Sequence, residues 1–168
     1  MLFTLPSGSD VAIRPIAPDD KDRLAQGLRQ LSEASIRKRF LAAKPRFSKA
    51  ELRYLTEVDG VNHIALVAVL EDDPDQLVAV ARCVRLPDRP GTAEMAIVVG
   101  DPWQDQGVGT ALTHALADAA LAVGIRRFAA TMLGDNEAAR RLMRTFARRL
   151  DEGQVSGGVR EVLVELAA

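Results

Sequence analysis

The stretch Gln104-Asp105-Gln106-Gly107-Val108-Gly109-Thr110 joins a predicted strand to a predicted helix, and the topology of the chain depends on it. Its two glycines, two residues apart, permit turn conformations that other residues avoid and let a ligand approach the main chain closely. The first turn of the helix also leaves backbone amides free at the positive end of the helix dipole. The stretch therefore predicts a binding site for a phosphate or pyrophosphate group.

Two familiar phosphate-binding motifs do not fit this stretch. A P-loop needs Gly-Lys followed by Ser or Thr, and that triplet occurs nowhere in the chain. The dinucleotide-binding fingerprint needs a third glycine where Leu112 stands, and no acidic residue follows about 20 positions later at a strand end. What remains is the pattern Gln-x-x-Gly-x-Gly between a strand and a helix.

The segments on either side of this stretch show strand and helix periodicity. Short turns join the three strands that precede it, which predicts antiparallel neighbours, whereas the strand-helix-strand order across it predicts one parallel crossover. The predicted fold class is therefore α+β (mixed α/β), with a largely antiparallel central sheet and one parallel βαβ crossover. The predicted strands cover 11–15, 63–70, 76–86, 92–99, 126–132 and 159–166, and the predicted helices cover 19–31, 32–40, 48–58, 107–123 and 136–149.

Composition and charge predict a single globular domain over residues 1–168. The 22 basic and 23 acidic side chains give a net charge of -1, so no global attraction to nucleic acid or anionic lipid is expected. The longest apolar run, 64–70, is much shorter than the roughly 18 residues of a membrane-spanning helix, and the chain does not start like a signal peptide. We therefore expect a cytoplasmic protein with no nucleic-acid or membrane partner.

With this motif in these surroundings, the chain resembles the GNAT family of acyl-CoA-dependent N-acetyltransferases over nearly all of its length. The pattern Asn136-x-x-Ala139-x-x-Leu142 follows the motif, as it does in that family. Within the family, the chain is most similar to the catalytic domain of bacterial protein lysine acetyltransferases of the cyclic-AMP-regulated kind. The stretches that carry this closer resemblance are 46–48, 54–60, 77–82 and 93–96.

The resemblance implies that acetyl-CoA is the co-substrate, that no metal is needed, and that the central strands splay apart to form its cleft. Main-chain groups of Ile97, Val98 and Val99 would then pair with the pantetheine arm of coenzyme A. Asn136 would anchor the far side of the cofactor, unless it serves only as a helix cap. The pyrophosphate would rest on the amides of Gln104, Asp105, Gln106, Gly107, Val108, Gly109 and Thr110.

The resemblance also implies that Glu94 is the catalytic general base. A lysine with a pKa near 10.4 must lose its proton before it can attack, and reaching the neutral form at pH 7 costs about 4.6 kcal/mol. A carboxylate acting through a bound water can take that proton. Judged from strand alternation alone, Glu94 is an ordinary exposed glutamate, so its role rests on the resemblance.

The sequence departs from the family pattern at three points. Gln106 stands where a basic residue is common before the first glycine, and Asp105 adds a negative charge near the expected pyrophosphate. Many relatives place a tyrosine near Met143 as a general acid, but the only tyrosine here, Tyr54, lies in another predicted helix. An acid is less necessary than a base, because the leaving thiol has a pKa of about 8.5.

Other polar residues offer weaker candidate sites. His63 and Cys83 lie in neighbouring predicted strands, but no third group orients them as a nucleophilic pair, and Cys83 is interpreted as a buried apolar residue. Two histidines and one cysteine, widely scattered, do not predict a metal site. A run of five basic residues within 37–46, without an acid between them, favours an acidic acceptor or an acidic partner surface.

These observations predict an enzyme that transfers acetyl from acetyl-CoA to an amine, with a protein lysine as the leading acceptor. Acetylation of a small-molecule amine and a regulatory module that binds acyl-CoA without turnover are the alternatives. The sequence leaves the oligomeric state open, with a homodimer among the arrangements considered.

Overall fold

The computed structural model describes residues 1–167, and its framework is one eight-stranded sheet in the order β1-β2-β3-β4-β5-β6-β8-β7. The strands are β1 Leu2–Thr4, β2 Asp10–Pro15, β3 His63–Leu70, β4 Leu77–Arg85, β5 Thr92–Val99, β6 Arg127–Leu133, β7 Ala147–Glu152 and β8 Val159–Leu166. The helices are α1 Lys21–Gln30, α2 Glu33–Phe40, α3 Lys49–Thr56, α4 Val108–Ala122 and α5 Glu137–Phe146. None of these helices is long and apolar enough to cross a bilayer.

The sheet is antiparallel except between β5 and β6, which α4 connects as a parallel crossover. This arrangement confirms the predicted fold class. The two parallel strands pair only from Thr92 to Glu94, opposite 127–129. Beyond Glu94, β5 stays paired with β4 as far as Val99, and β6 stays paired with β8 as far as Leu133. The central strands therefore diverge, and the edge of β5 that faces β6 is left without a strand partner.

Helices cover both faces of the sheet. On one face, α4 buries Leu112 and Leu116 completely against the sheet, where they belong to the same core as Phe128 of β6. On the other face, α1 contributes Leu24 to a smaller core with Val67 and Val80. The apolar spacing on α4 predicts this packing, because residues four apart lie on one side of a helix.

The prediction that the last helix continues to about Arg149 is wrong. Helix α5 ends at Phe146, and the chain turns directly into β7, which pairs with β8. The carboxylate of Glu152 on β7 accepts hydrogen bonds from Arg140, Arg144 and Arg160, which lie on α5 and β8. These ion pairs hold β7 against α5 and β8. Because their partners are far apart in the sequence, no periodic pattern of residues predicts the strand.

Candidate active site

A cleft of about 420 Å³ lies beside the free edge of β5. We call it the β5-edge cleft; its walls are β5, the turn 104–110, the start of α5 and the end of α2. Nine of the eleven predicted cofactor residues line it, namely Ile97, Val98, Val99, Gln104, Asp105, Gly107, Gly109, Thr110 and Asn136.

The side chains of the other two predicted cofactor residues, Gln106 and Val108, point away from the cleft. Val108 is fully buried in the core under α4, and Gln106 donates a hydrogen bond from Nε2 to the Pro102 carbonyl at 2.8 Å. Only their backbone amides remain available to a ligand.

The register of β5 decides which of its peptide groups face the cleft. Gly100 N donates to Val78 O at one end of the strand, and Leu86 N donates to Thr92 O at the other. In an antiparallel pair, every second residue of a strand forms backbone hydrogen bonds with the partner strand. The pairing between Thr92 and Gly100 is uninterrupted, so the even-numbered residues of β5 direct their N–H and C=O groups toward β4. Ile97 therefore presents a free N–H and a free C=O to the cleft, whereas Val99 presents a free N–H and a carbonyl that already accepts from Gln104 Nε2. This corrects the expectation for Val98, whose peptide groups face β4 and which lines the cleft with its side chain.

The turn before α4 exposes a row of amides. Gly107 has φ +86° and Asp105 has φ +59°, so the backbone of both residues lies in the left-handed region, which residues other than glycine seldom adopt. The first hydrogen bond of the helix runs from Ala111 N to Gly107 O. Among residues 1–167, no backbone carbonyl accepts a hydrogen bond from the amides of 105–110. The turn therefore gathers unpaired donors at the positive end of the α4 dipole.

Gly109 lies where α4 comes close to both β5 and α5. A Cβ atom on this residue would stand 3.5 Å from Val99 Cγ2 and 3.8 Å from Leu142 Cδ2, with Ile97 Cδ1 at 3.9 Å. The missing side chain at this position keeps the space between β5 and α5 open.

Three basic side chains at the cleft were not predicted as cofactor residues. Lys38, Arg39 and Arg141 all line it, and they supply positive charge around the exposed Asp105. The family pattern places a basic residue inside the turn, whereas here the positive charge comes from α2 and α5. The positions of α2 and α5 in the fold bring this positive charge to the cleft, so the sequence of the turn alone does not predict it.

Asn136 has a structural role that the geometry demonstrates. Its Oδ1 accepts a hydrogen bond from Ala139 N at 3.1 Å, which caps the start of α5. The residue also lines the cleft, and its Nδ2 donates to no group among residues 1–167. The cap and a ligand contact are therefore compatible.

A polar network ties α2 to the turn. Gln104 Nε2 donates to Val99 O and to Ser35 Oγ, both at 3.1 Å. Asp101 accepts from Ser32 N at 3.0 Å, from Ser32 Oγ at 2.6 Å and from Ser35 Oγ at 2.9 Å. Burial raises the pKa of Asp101, but the hydrogen bonds from Ser32 and Ser35 outweigh it and hold the pKa below its ordinary value. The network fixes the helix that carries Arg39 against the cleft.

Glu94 lies at the apex of the splayed strands. It is the last residue of β5 that pairs with β6, opposite Ala129, and its side chain is exposed on the sheet face away from α4. The carboxylate takes part in no hydrogen bond or ion pair with any residue in 1–167. It is therefore free to bind water or an incoming amine next to the point where the β5-edge cleft begins.

A second cavity of about 270 Å³, which we call the inner cavity, lies on the same sheet face as Glu94. It is enclosed by β4, β5 and helices α1 to α3, and it shares Arg39, Val98 and Trp103 with the β5-edge cleft. Most of its wall is apolar, its cationic residues are Arg39 and Arg82, and its acidic residue is Asp101, whose carboxylate is held by Ser32 and Ser35. The apolar residues of its wall include Leu24, Leu28, Leu31, Phe40, Phe47, Leu55, Val80 and Val98.

Arg82 is only 6% exposed, although it carries a guanidinium group. Its Nη1 donates to Leu55 O at 3.0 Å and approaches His63 Nε2 at 3.1 Å. Because arginine only donates, His63 Nε2 must accept, so this histidine is neutral with its proton on Nδ1. Burial and the charge of Arg82 lower the pKa of His63, while burial and the charge of Arg39 lower the pKa of Arg82 to about 10.

The remaining candidate residues do not form a site. Cys83 is fully buried, and burial raises the pKa of its thiol to about 12, which confirms its interpretation as a small apolar residue. His114 is exposed on the outer side of α4. Among residues 1–167 there is no group of three His, Cys, Asp or Glu side chains that could hold a metal ion.

Comparison with known proteins gives matches at the level of sequence and of structure. The family model described as Acetyltransferase (GNAT) family matches residues 30–147, which is more than half of the chain. Acetyltransferase Pat of Mycolicibacterium smegmatis is 38% identical over 132 residues, which are 78% of this chain and 39% of that protein. The chain thus spans about two fifths of the length of this curated relative.

Two solved structures match nearly all of the chain. The crystal structure of the GNAT domain of S. lividans PAT has a TM-score of 0.85 at 29% identity, covering 99% of this chain and 96% of that one. The cAMP-binding acyltransferase from Mycobacterium smegmatis has a TM-score of 0.68 at 31% identity, covering 100% of this chain and 47% of that one.

Proposed function

Because the chain belongs to the GNAT family of acetyltransferases, we propose that it transfers the acetyl group of acetyl-CoA to a protein lysine. The matches confirm the resemblance that the Gln-x-x-Gly-x-Gly motif indicated. The observation that carries the proposal is a single juxtaposition: free peptide groups of β5 and free amides of the turn line one cleft, and Glu94 is the last residue of β5 that pairs with β6 before the two strands diverge.

The β5-edge cleft suits the chemistry of coenzyme A along its length. The pantetheine arm carries amides, and the free N–H and C=O of Ile97 and the free N–H of Val99 can pair with them as a neighbouring strand would. The pyrophosphate is an anion, and the amides of 105–110 at the start of α4 offer unpaired donors. Lys38 and Arg141 add positive charge on the opposite walls.

Glu94 is proposed as the general base of the reaction. The acceptor ammonium loses its proton to the carboxylate through a water molecule, and the neutral amine then attacks the thioester carbonyl. A C–N bond forms, the tetrahedral intermediate collapses, and the C–S bond breaks. The nitrogen gives up its second proton to the departing thiolate, so that the products are the neutral amide and the coenzyme A thiol. Because the free thiol has a pKa of about 8.5, this leaving group needs little help from an acid, which is consistent with the lack of a tyrosine on α5.

The lysine acceptor is proposed from the resemblance to bacterial protein lysine acetyltransferases and from the exposure of Glu94. The carboxylate lies on the surface of β5 and is not enclosed by neighbouring residues of 1–167. A long, flexible side chain on another protein can therefore reach it.

The substitution Glu94→Gln tests this function. It removes the base but keeps the shape, so we expect turnover to fall by about 10²-fold or more, the usual scale for losing a general base, with coenzyme A affinity nearly unchanged. Thiol release from acetyl-CoA measures the first quantity, and titration calorimetry with coenzyme A measures the second.

Glu161→Gln is the matched control, because Glu161 is also an exposed glutamate on a strand. We expect this variant to turn over like the parent protein. Equal turnover by the Glu94 and Glu161 variants would remove Glu94 from the mechanism. Cofactor binding without thiol release from the parent protein, across candidate protein and small amine acceptors, would favour the non-catalytic alternative.

A further inference from the structure

We propose that the inner cavity binds a carboxylate group of the acceptor, so that the enzyme selects amines that carry a carboxylate close by. This proposal rests on the proposed acetyl transfer and names the acceptor class of the same site. Two guanidinium groups, those of Arg39 and Arg82, line this mostly apolar cavity, and neither forms an ion pair with a carboxylate among residues 1–167.

The charge of Arg82 is uncompensated in the free protein. Its hydrogen-bonding contacts, the Leu55 carbonyl and the neutral His63 ring, carry no negative charge. Buried charges in proteins are ordinarily paired, because a low-dielectric interior penalises an isolated ion. Nε and Nη2 of Arg82 donate to no group in 1–167, so one edge of the fork is available to a ligand.

Arg39 provides a second charge from the opposite wall. It is half-buried, its Cζ lies 4.8 Å from the centroid of the Phe40 ring, and it makes no ion pair or hydrogen bond with residues 1–167. Arg39 and Arg82 repel one another, and burial lowers the pKa of each. An anion between them would relieve both the repulsion and the desolvation.

The position of Glu94 relates this anion site to the reacting amine. In the register of β4 and β5, Arg82 lies opposite Ala96, and Glu94 lies two residues along β5 on the same face. Such diagonal neighbours are separated by roughly 7–8 Å. An amine held at Glu94 would therefore lie within a few bonds of a carboxylate held by Arg82. Glu94 and Arg39 attract one another, and this attraction partly offsets the lowering of the Arg39 pKa by burial.

The required acceptor chemistry is thus an amine with a carboxylate near it. An acidic side chain next to the target lysine of a protein would supply it, and so would the α-carboxylate of a free amino acid.

The experiment compares acetyl-capped, amide-terminated peptides that contain one lysine and differ only by Glu or Gln at each of the two positions before and after it. We expect kcat/KM of the parent protein to be about 10-fold or more higher for the best Glu peptide than for its Gln counterpart, the scale of one buried charge-assisted contact. Free lysine compared with lysine amide tests the α-carboxylate as the source. A preference in either pair supports the proposal, and the pair that shows it identifies the source.

Arg39→Met should reduce the Glu-to-Gln ratio to about one. Arg37→Met is the matched control, because it removes the same charge from the exposed side of the same helix and should keep the ratio. Thermal unfolding verifies that both variants are folded, and the peptide ratio of the parent protein needs no variant at all.

Equal rates for the Glu and Gln peptides, together with equal rates for free lysine and its amide, would overturn the proposal while leaving acetyl transfer intact. A ratio that survives in Arg39→Met would also overturn it. So would strong preference for succinyl-CoA over acetyl-CoA with every acceptor, because the carboxylate would then arrive on the acyl chain. Failure to acetylate any of these acceptors or whole proteins would instead count against the proposed function.

Discussion

The β5-edge cleft and the inner cavity lie side by side at β5 and share three lining residues, yet they offer a ligand different chemical groups. The cleft offers main-chain groups: the free edge of β5 and the amides of the turn before α4. The inner cavity offers side chains: apolar groups from three helices and two guanidinium groups. In the proposed function, backbone geometry therefore recognises the cofactor, and individual side chains recognise the acceptor.

This difference has a physical consequence for substitution. A main-chain site tolerates many changes of side chain, but it fails when a new side chain occupies the space beside the backbone. A site built from side chains behaves in the opposite way, because each charge or ring is itself the recognition element. Substitutions in the two regions should therefore separate cofactor binding from acceptor selection.

The largest effect is expected from Gly109→Leu. The new side chain starts 3.5 Å from Val99 Cγ2 and extends into the cleft, so we expect coenzyme A to bind about 10²-fold more weakly or not at all, a loss of roughly 2.7 kcal/mol or more. The helix should not suffer, because leucine favours helical conformation over glycine by several tenths of a kcal/mol. Titration calorimetry measures the affinity, and thermal unfolding measures the stability.

Asp118→Leu provides a control of similar bulk on the exposed side of α4. It should bind coenzyme A like the parent protein. If Gly109→Leu retained full affinity, the cofactor would have to lie elsewhere, and the distinction between the two regions would fail.

A smaller effect is expected at Asn136, which lies in the cleft but acts through a side chain. Asn136→Ala removes the cap of α5, so it should lower the free energy of unfolding by about 1 kcal/mol and also weaken coenzyme A binding. Asn136→Ser keeps a capping oxygen and removes the amide, so stability should return while affinity stays several-fold lower, as expected for one lost hydrogen bond. Chemical denaturation and calorimetry on both variants measure the two quantities. Parent-like affinity in the serine variant would assign Asn136 to capping alone.

The difference between main-chain and side-chain sites also explains which features of the fold and of the site could be predicted from the sequence. The cleft follows from local rules: two glycines, a helix start and a strand that precedes them, all within 92–110. The fold class followed in the same way, because short turns and one crossover limit the arrangements of a sheet. Even the cap by Asn136 was among the predicted alternatives, since capping depends only on residues three apart.

Features that depend on distant residues were missed. Arg82 belongs to an alternating strand, and Arg39 belongs to a basic run, so neither local pattern indicates that they line one cavity. The end of α5 at Phe146 was misplaced because Glu152 holds β7 through arginines of α5 and β8. The peptide direction at Val98 needed the register with β4, which periodicity within one strand does not give.

If main-chain groups bind coenzyme A, the backbone amide resonances report this binding most directly. Titration of the ¹⁵N-labelled protein with coenzyme A should shift the amides of 105–110 together with those of Ile97 and Val99, while the amide of Val98, which faces β4, should move less. Saturable shifts confined to residues outside the β5-edge cleft, with the amides of 105–110 unchanged, would contradict the account.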